Sequence, residues 1–266
     1  MKSHRSYLFV PGNRPERFAK ASQAGADAVV IDLEDAVLPE AKAQARAHAV
    51  AWLSEAHPVY VRINATDTEW VEDDLVAINC PGLAGVMLPK TAGADDIRYI
   101  SSRLRPGTPI IALIETARGL LFSYEIASMD NILRLAFGSI DFQLDAGIVG
   151  DQEELLYARS NLVISSRAAG IQAPIDGVTT STSDRDRVMA DTRMARKLGF
   201  GAKLCIHPSQ IESVHEGFNP SPVEIEWARG VISAMEAGGD GAISFEGRMI
   251  DRPVFERAKA ILALRA

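Results

Sequence analysis

Ala28-Val29-Val30-Ile31-Asp32-Leu33-Glu34-Asp35 is the stretch on which the fold turns. Four apolar, mostly β-branched residues run without a polar interruption, the composition of a strand covered on both faces, as in a parallel sheet under helices. The run then closes on three acids within four positions. An apolar strand that ends in clustered charge recurs along the chain.

Moving outward in both directions, the candidate strands are Ser6–Val10, Ala28–Leu33, Val59–Ile63, Gly85–Leu88, Pro109–Ile114, Leu133–Phe137, Ala173–Ile175 and Ala202–Ile206. Longer helical patterns separate them, as crossover connections between parallel strands require. Pro15, Pro39 and Pro208 suit first helical turns, where the missing N–H costs nothing. Ser183 with Asp186 resembles a capping box, Gly199 suits a helix C-terminus, and Gln152–Ala169 reads as a long helix. Eight strands in 266 residues predict one TIM-type (β/α)₈ barrel over residues 1–218. Asn219-Pro220-Ser221-Pro222 breaks the alternation, and residues 219–266 read as a C-terminal helical extension. Within it, helices are expected from Ser221 to about Ala237 and over Pro253–Leu264, joined by a flexible Gly238–Gly241 link. The extension is too short for its own core and is expected to pack on the barrel or on a neighbouring subunit.

Apolar residues make up 47% of the chain, enough for a large core, and the formal net charge is −7. That sign argues against nucleic acid as a partner, which needs a basic face for its phosphates. Cys80 and Cys205 form no C-x-x-C pair, which points to a reducing compartment without structural zinc. No apolar stretch reaches the roughly 18 residues of a membrane span, and the start lacks a secretory pattern, so a cytoplasmic protein without a membrane partner is expected.

In a parallel barrel the strand C-termini meet on one face, where active sites are built. Here that face receives Asp32, Glu34 and Asp35, then Arg62 and Asn64, Lys90, Glu115, and Asp141. Clustered charge costs free energy unless paired or coordinated. Glu115 and Asp141 end adjacent strands, which lie about 4.8 Å apart, so they could share one hard cation such as Mg²⁺. Alternatively, each caps a neighbouring helix. Arg62 suits bidentate capture of a carboxylate or an internal ion pair with Glu34 or Asp35. Lys90 fits pairing with the same acids. The five histidines form no ligand pattern, and no Ser/His/Asp order or phosphate-binding loop is present.

Eight stretches resemble the citrate lyase β-subunit-like family within the HpcH/HpaI aldolase and malyl-CoA lyase group. They are Arg5-Ser-Tyr-Leu-Phe-Val-Pro-Gly-Asn13, Val30-Ile-Asp-Leu-Glu-Asp-Ala-Val37, Val61-Arg-Ile-Asn64, Met87-Leu-Pro-Lys90, Leu113-Ile-Glu-Thr-Ala117, Phe137-Gly-Ser-Ile-Asp141, Cys205-Ile-His-Pro-Ser-Gln210 and Gly247-Arg-Met-Ile-Asp251. They follow the family's order across almost the whole chain.

The resemblance implies a Mg²⁺-dependent carbon–carbon lyase that cleaves or forms a β-hydroxyacyl-CoA, giving a 2-oxo acid and an acyl-CoA. It implies Glu115 and Asp141 as metal ligands and Arg62 as the substrate-carboxylate arginine. Glu34 and Asp35 become the acids that order metal-bound water near the substrate. Asp251 becomes the acid/base, often supplied to a neighbouring subunit's site, and Arg5 and Asn13 bound the region approaching coenzyme A. Homo-oligomers, trimeric or hexameric, are implied as well. A Mg²⁺-dependent aldolase, a malyl-CoA thioesterase, and a non-catalytic subunit binding CoA or oxo acid remain the alternatives.

Overall fold

The computed structural model describes residues 4–238, 243–245 and 247–264. The chain divides into two compact units, Met1–His215 and Glu216–Ala266. In the first, β1 (Ser6–Pro11), β2 (Ala28–Asp32), β3 (Val59–Arg62), β4 (Leu83–Leu88), β5 (Ile110–Ile114), β6 (Ile132–Phe137), β7 (Ile175–Asp176) and β8 (Ala202–Cys205) close into a barrel in chain order. Neighbouring strands are parallel throughout, including β8 against β1. The expected TIM-type architecture is therefore the observed one.

The strands are buried on both faces, which explains their unbroken apolar text. Val30, Tyr60, Met87, Ile111, Leu113 and Leu204 belong to the interior cluster. Alternate residues such as Val29, Ile31, Val61 and Val86 point the other way and are equally buried under the helical layer. Several buried charges were not anticipated, Arg134 among them. Arg134 on β6 is 1% exposed and donates to the His4 carbonyl and to Gln172 Oε1, both at 2.9 Å.

Three local readings are corrected. The seventh strand is Ile175–Asp176 rather than Ala173–Ile175, because Pro174 has no N–H to give a ladder. The eighth stops at Cys205, since the Ile206 N–H is taken by Gln210 Oε1 at 2.9 Å. The helix Arg185–Leu198 is capped by Asp184, which accepts from Arg187 N at 2.9 Å, and not by Ser183. Gly199 ends that helix as expected, in the left-handed conformation with φ 106°.

The second unit contains helices Pro222–Gly238 and Arg252–Ala263, with a hairpin of Ile243–Phe245 and Arg248–Ile250 between them. Ser221 and Glu224 form the reciprocal cap of the first helix. The hairpin was not expected. With the two helices it assembles a small apolar cluster of Ala228, Val231, Ile250, Ala258 and Ile261, so this unit does build a core. Most of the expected Gly238–Gly241 link lies outside the described residues.

Candidate active site

Asp32 and Arg62 are register partners at the ends of β2 and β3, and their side chains meet as two forks. Arg62 Nε donates to Asp32 Oδ1 at 2.7 Å and Nη2 to Oδ2 at 2.6 Å. The same carboxylate accepts the N–H groups of Glu34 and Ala36, which curls the chain after β2 and turns Glu34 into the barrel mouth. Nη1 of Arg62 lies 3.0 Å from Glu34 and 3.4 Å from Asp35. The internal pairing anticipated for Arg62 is thus present, but its main partner is Asp32. The clue was available: Asp32 sits in the last position of an apolar strand, where an acid needs a partner.

Glu34 is buried between two cations, with Arg62 on one side and Lys90 Nζ at 3.2 Å on the other. Neither carboxylate oxygen accepts a hydrogen bond of good geometry, so these are contacts of charge only. Burial pushes the Glu34 carboxyl up to about 7, against the pull of Arg62.

Glu115 follows β5 directly and is 2% exposed. Its Oε1 accepts the Lys90 N–H at 2.6 Å, across a turn in which Lys90 adopts a positive φ of 51°. On the other side, Gly138 after β6 lies so close that a methyl group there would stand 2.5 Å from Glu115 Cβ and Oε2. Burial pushes the Glu115 carboxyl up to about 8, with Glu34 and Asp141 adding to the rise. Asp141 lies in the first turn of the helix Ser139–Ala146, half-buried.

Neither acid serves as a helix cap. The helix after Glu115 is capped by Thr116, which accepts from Gly119 N at 3.0 Å. The helix bearing Asp141 has no side-chain cap, and Asp141 makes no hydrogen bond or ion pair among the described residues.

Asp32, Asp35, Arg62, Glu115 and Asp141 line one cavity of about 390 Å³, together with apolar residues that include Phe9, Leu113 and Val178. With Glu34 and Lys90 included, five carboxylates face two cations. The donors are hard oxygens, and burial raises the Glu34 and Glu115 carboxyls to about 7 and about 8, so each is readily kept protonated near neutral pH until a cation offsets its charge. Such a set fits a hard divalent cation. Among the described residues no group of three or more His, Cys, Asp or Glu side chains is placed to hold a metal. Glu115 and Asp141 would therefore be completed by water and ligand oxygens, as Mg²⁺ commonly is.

Sequence reading missed the support beneath the acids. Lys42, buried at the start of the helix Lys42–Trp52, donates to the carbonyls of Leu33 and Glu34, each at 2.8 Å, and to Asn64 Oδ1 at 2.6 Å. All three ammonium protons are thus spent on fixing the ends of β2 and β3. Asn64 donates in turn to Asp74, which also pairs with Arg46 at 2.8 Å. The only signal was a lysine at the start of an alanine-rich helix.

The structure does not bring every expected residue to this mouth. Asn13 follows β1 at the correct end, and its Oδ1 is a buried acceptor without a partner. Arg5 precedes β1, beside Asp27 at the opposite end of the barrel. The two therefore do not form one contact region, because a whole strand separates them. Asp251 belongs to the second unit, where it caps the helix Arg252–Ala263 by accepting from Val254 N at 3.3 Å.

Residues 5–208 match the model of the family described as HpcH/HpaI aldolase/citrate lyase. A citrate lyase subunit beta-like protein of Deinococcus radiodurans is 38% identical, over 98% of this chain and 97% of its own length. A (3S)-malyl-CoA thioesterase of Cereibacter sphaeroides is 33% identical, over 98% and 97%. Among solved structures, CitE of Mycobacterium tuberculosis in complex with magnesium, acetoacetate and coenzyme A superposes with a TM-score of 0.90 at 34% identity, covering 98% of both chains.

Proposed function

The chain belongs to the HpcH/HpaI aldolase/citrate lyase family, and on that premise we propose that it is a Mg²⁺-dependent carbon–carbon lyase converting a β-hydroxyacyl-CoA into a 2-oxo acid and an acyl-CoA. The observation that carries this reading is that buried Glu115 and half-buried Asp141 line one mouth in which carboxylates outnumber cations. Glu115 and Asp141 would hold the ion, with Glu34 and Asp35 hydrogen-bonding the water around it. When bound, Mg²⁺ supplies Lewis-acid polarisation of the oxo oxygen and offsets the charge that develops there.

Arg62 orients the carboxylate of the oxo acid through Nη1, since Nε and Nη2 are committed to Asp32. Asp251 gives the departing acyl α-carbon its proton, and in the reverse direction removes one. Asn13 contacts the coenzyme A portion. The supply of Asp251 to a neighbouring subunit would require a homo-oligomer, trimeric or hexameric. In support, Leu121, Leu144, Tyr157 and Ile164 stay 67–83% exposed on the helices Ala117–Leu121, Ser139–Ala146 and Leu156–Ala168. No helix among the described residues is long and apolar enough to cross a membrane.

Thioester hydrolysis at the same site is the second reading, favoured by the malyl-CoA thioesterase among the relatives. A coupled assay over malyl-, citramalyl- and citryl-CoA, with free citrate alongside, separates the readings. Release of a 2-oxo acid with acetyl-CoA supports the lyase. Release of a hydroxy acid with free CoA supports hydrolysis, and tight binding without turnover marks a non-catalytic subunit.

Two further results are expected. Gly138→Ala should weaken Mg²⁺ binding by at least roughly tenfold, because the added methyl displaces the Glu115 carboxylate; calorimetric titration measures it. Mg²⁺ affinity should also depend on pH. Glu115 titrates near 8 instead of 4.5, so below pH 8 the ion must displace its proton. Affinity then rises with pH up to about 8, by roughly tenfold per unit for one proton released, and levels off above. The ion-free fold should behave oppositely, since a raised carboxyl destabilises when ionised: its melting temperature falls as pH climbs from 4.5 towards 8.

A further inference from the structure

Resting on the lyase reading, we propose that Lys90 is the positioning residue for both buried glutamates of the mouth. Its strained backbone aims Glu115 at the metal ion, and its ammonium keeps Glu34 from monopolising Arg62. Backbone geometry supplies the first observation. Among the described residues, only Lys90 (φ 51°) and Asn131 (φ 67°) take a positive φ without being glycine. Asparagine enters that left-handed region readily, but lysine has no side-chain group that favours it. Such strain persists only where the surroundings over-determine it, and it gathers at functional sites.

Both conditions are met here. Thr91, fully buried, donates its N–H to the Leu113 carbonyl at 3.2 Å and its hydroxyl to the Leu88 carbonyl at 2.9 Å. A methyl group on Gly119 would stand 2.3 Å from the Thr91 carbonyl oxygen, so the helix Ala117–Leu121 closes on the same turn. With the turn pinned there, the Lys90 N–H meets Glu115 Oε1 at 2.6 Å. No other group among the described residues donates to Glu115. The aim of this carboxylate thus depends on a backbone conformation that most residues resist.

The side chain acts on the second glutamate. Lys90 Nζ lies 3.2 Å from Glu34 Oε1, and Arg62 Nη1 lies 3.0 Å from Oε2, so each cation takes one oxygen. Nε and Nη2 of Arg62 are committed to Asp32, which leaves Nη1 for a ligand carboxylate. Without the ammonium, the Glu34 charge falls on that nitrogen and competes with the ligand.

Variants of the full chain separate the two roles by binding alone, with no turnover required. Mg²⁺ is titrated by calorimetry, and pyruvate, as the oxo-acid probe, is then titrated into the Mg²⁺-saturated protein. Lys90→Gly keeps the N–H and accepts a positive φ freely, so its Mg²⁺ affinity should match or exceed the wild type, a cation having left the site. Lys90→Val also lacks the ammonium, but a β-branched residue resists that φ. Its Mg²⁺ affinity should be at least roughly tenfold below that of Lys90→Gly, the loss of one hydrogen bond to a charged group. Pyruvate affinity should fall at least roughly threefold in Lys90→Gly, the scale of a half-exposed ion pair, and return in Lys90→Arg. A merely structural role would lower the melting temperature of Lys90→Val without separating the two Mg²⁺ affinities. Should Lys90→Val not fold, amide hydrogen exchange at residue 90 decides: protection in the wild type that is lost in Glu115→Ala supports the proposal, and an unprotected wild-type amide overturns it. Equal Mg²⁺ affinity in the Gly and Val variants, or unchanged pyruvate affinity in Lys90→Gly, also overturns it. If these differences appear but no thioester is cleaved, only the lyase reading falls; a wild type that binds no Mg²⁺ removes both.

Discussion

Replacing Glu115 or Asp141 by alanine is expected to lower Mg²⁺-dependent turnover by a factor on the order of 10³ while the barrel still folds. Each substitution removes one of the two carboxylates placed to hold the ion, and no third protein ligand stands in reserve among the described residues. The two variants should differ in stability. The Glu115 carboxyl is pushed up to about 8 by burial, so its ionised form works against the fold. Glu115→Gln keeps an acceptor for the Lys90 N–H, which the wild-type Oε1 meets at 2.6 Å, and removes the charge. In EDTA at pH 8 its melting temperature should equal or exceed that of the wild type. Added Mg²⁺ should raise the wild-type melting temperature and leave that of the variant unchanged, through linkage. Asp141 is only half-buried and has no hydrogen bond or ion pair among the described residues, so Asp141→Ala should be nearly neutral for the ion-free fold. Lost activity with retained stability is the signature of groups maintained for function.

For Asp251 the expected loss is on the order of 10²–10⁴-fold, the usual range for a removed general acid/base. The difficulty is that Asp251 also caps a helix, accepting from Val254 N, and a lost cap alone costs about 0.5–2 kcal/mol. Asn and Ser cap about as well as Asp but cannot exchange a proton at neutral pH. Asp251→Asn and Asp251→Ser should therefore keep the melting temperature and lose turnover together. Deuterium exchange at the acetyl-CoA methyl isolates the step: it should collapse in both variants while Mg²⁺ affinity is unchanged. Undiminished exchange would leave Asp251 with its capping role alone.

Much of this architecture was legible in the sequence because a buried parallel strand writes itself plainly. Val29, Val30, Ile111 and Leu113 have only apolar neighbours in sequence, and the charges at Asp32, Arg62 and Glu115 mark where β2, β3 and β5 leave the core. The parallel barrel did the rest, bringing Glu34, Asp35, Arg62, Glu115 and Asp141 to one mouth from positions far apart in sequence. What escaped depends on three-dimensional pairing. Asp32 meets Arg62 only through the β2–β3 register, and Lys42 finds its carbonyls only after its helix packs back on the barrel. Arg5 shows the limit of motif transfer: it shares a stretch with Asn13, but a strand lies between them and carries them to opposite ends. Pro174 trimmed the seventh strand for a reason visible in the sequence itself. The hairpin at Ile243–Phe245 and Arg248–Ile250 is too short to show periodicity.

The claim at the centre is that the acidic mouth works through a divalent cation. The most direct test is the oxo-acid release assay run on one preparation before EDTA treatment, after it, and after restoring excess Mg²⁺. Turnover should fall to background in EDTA and return in full with Mg²⁺. Undiminished oxo-acid release in EDTA would contradict the account.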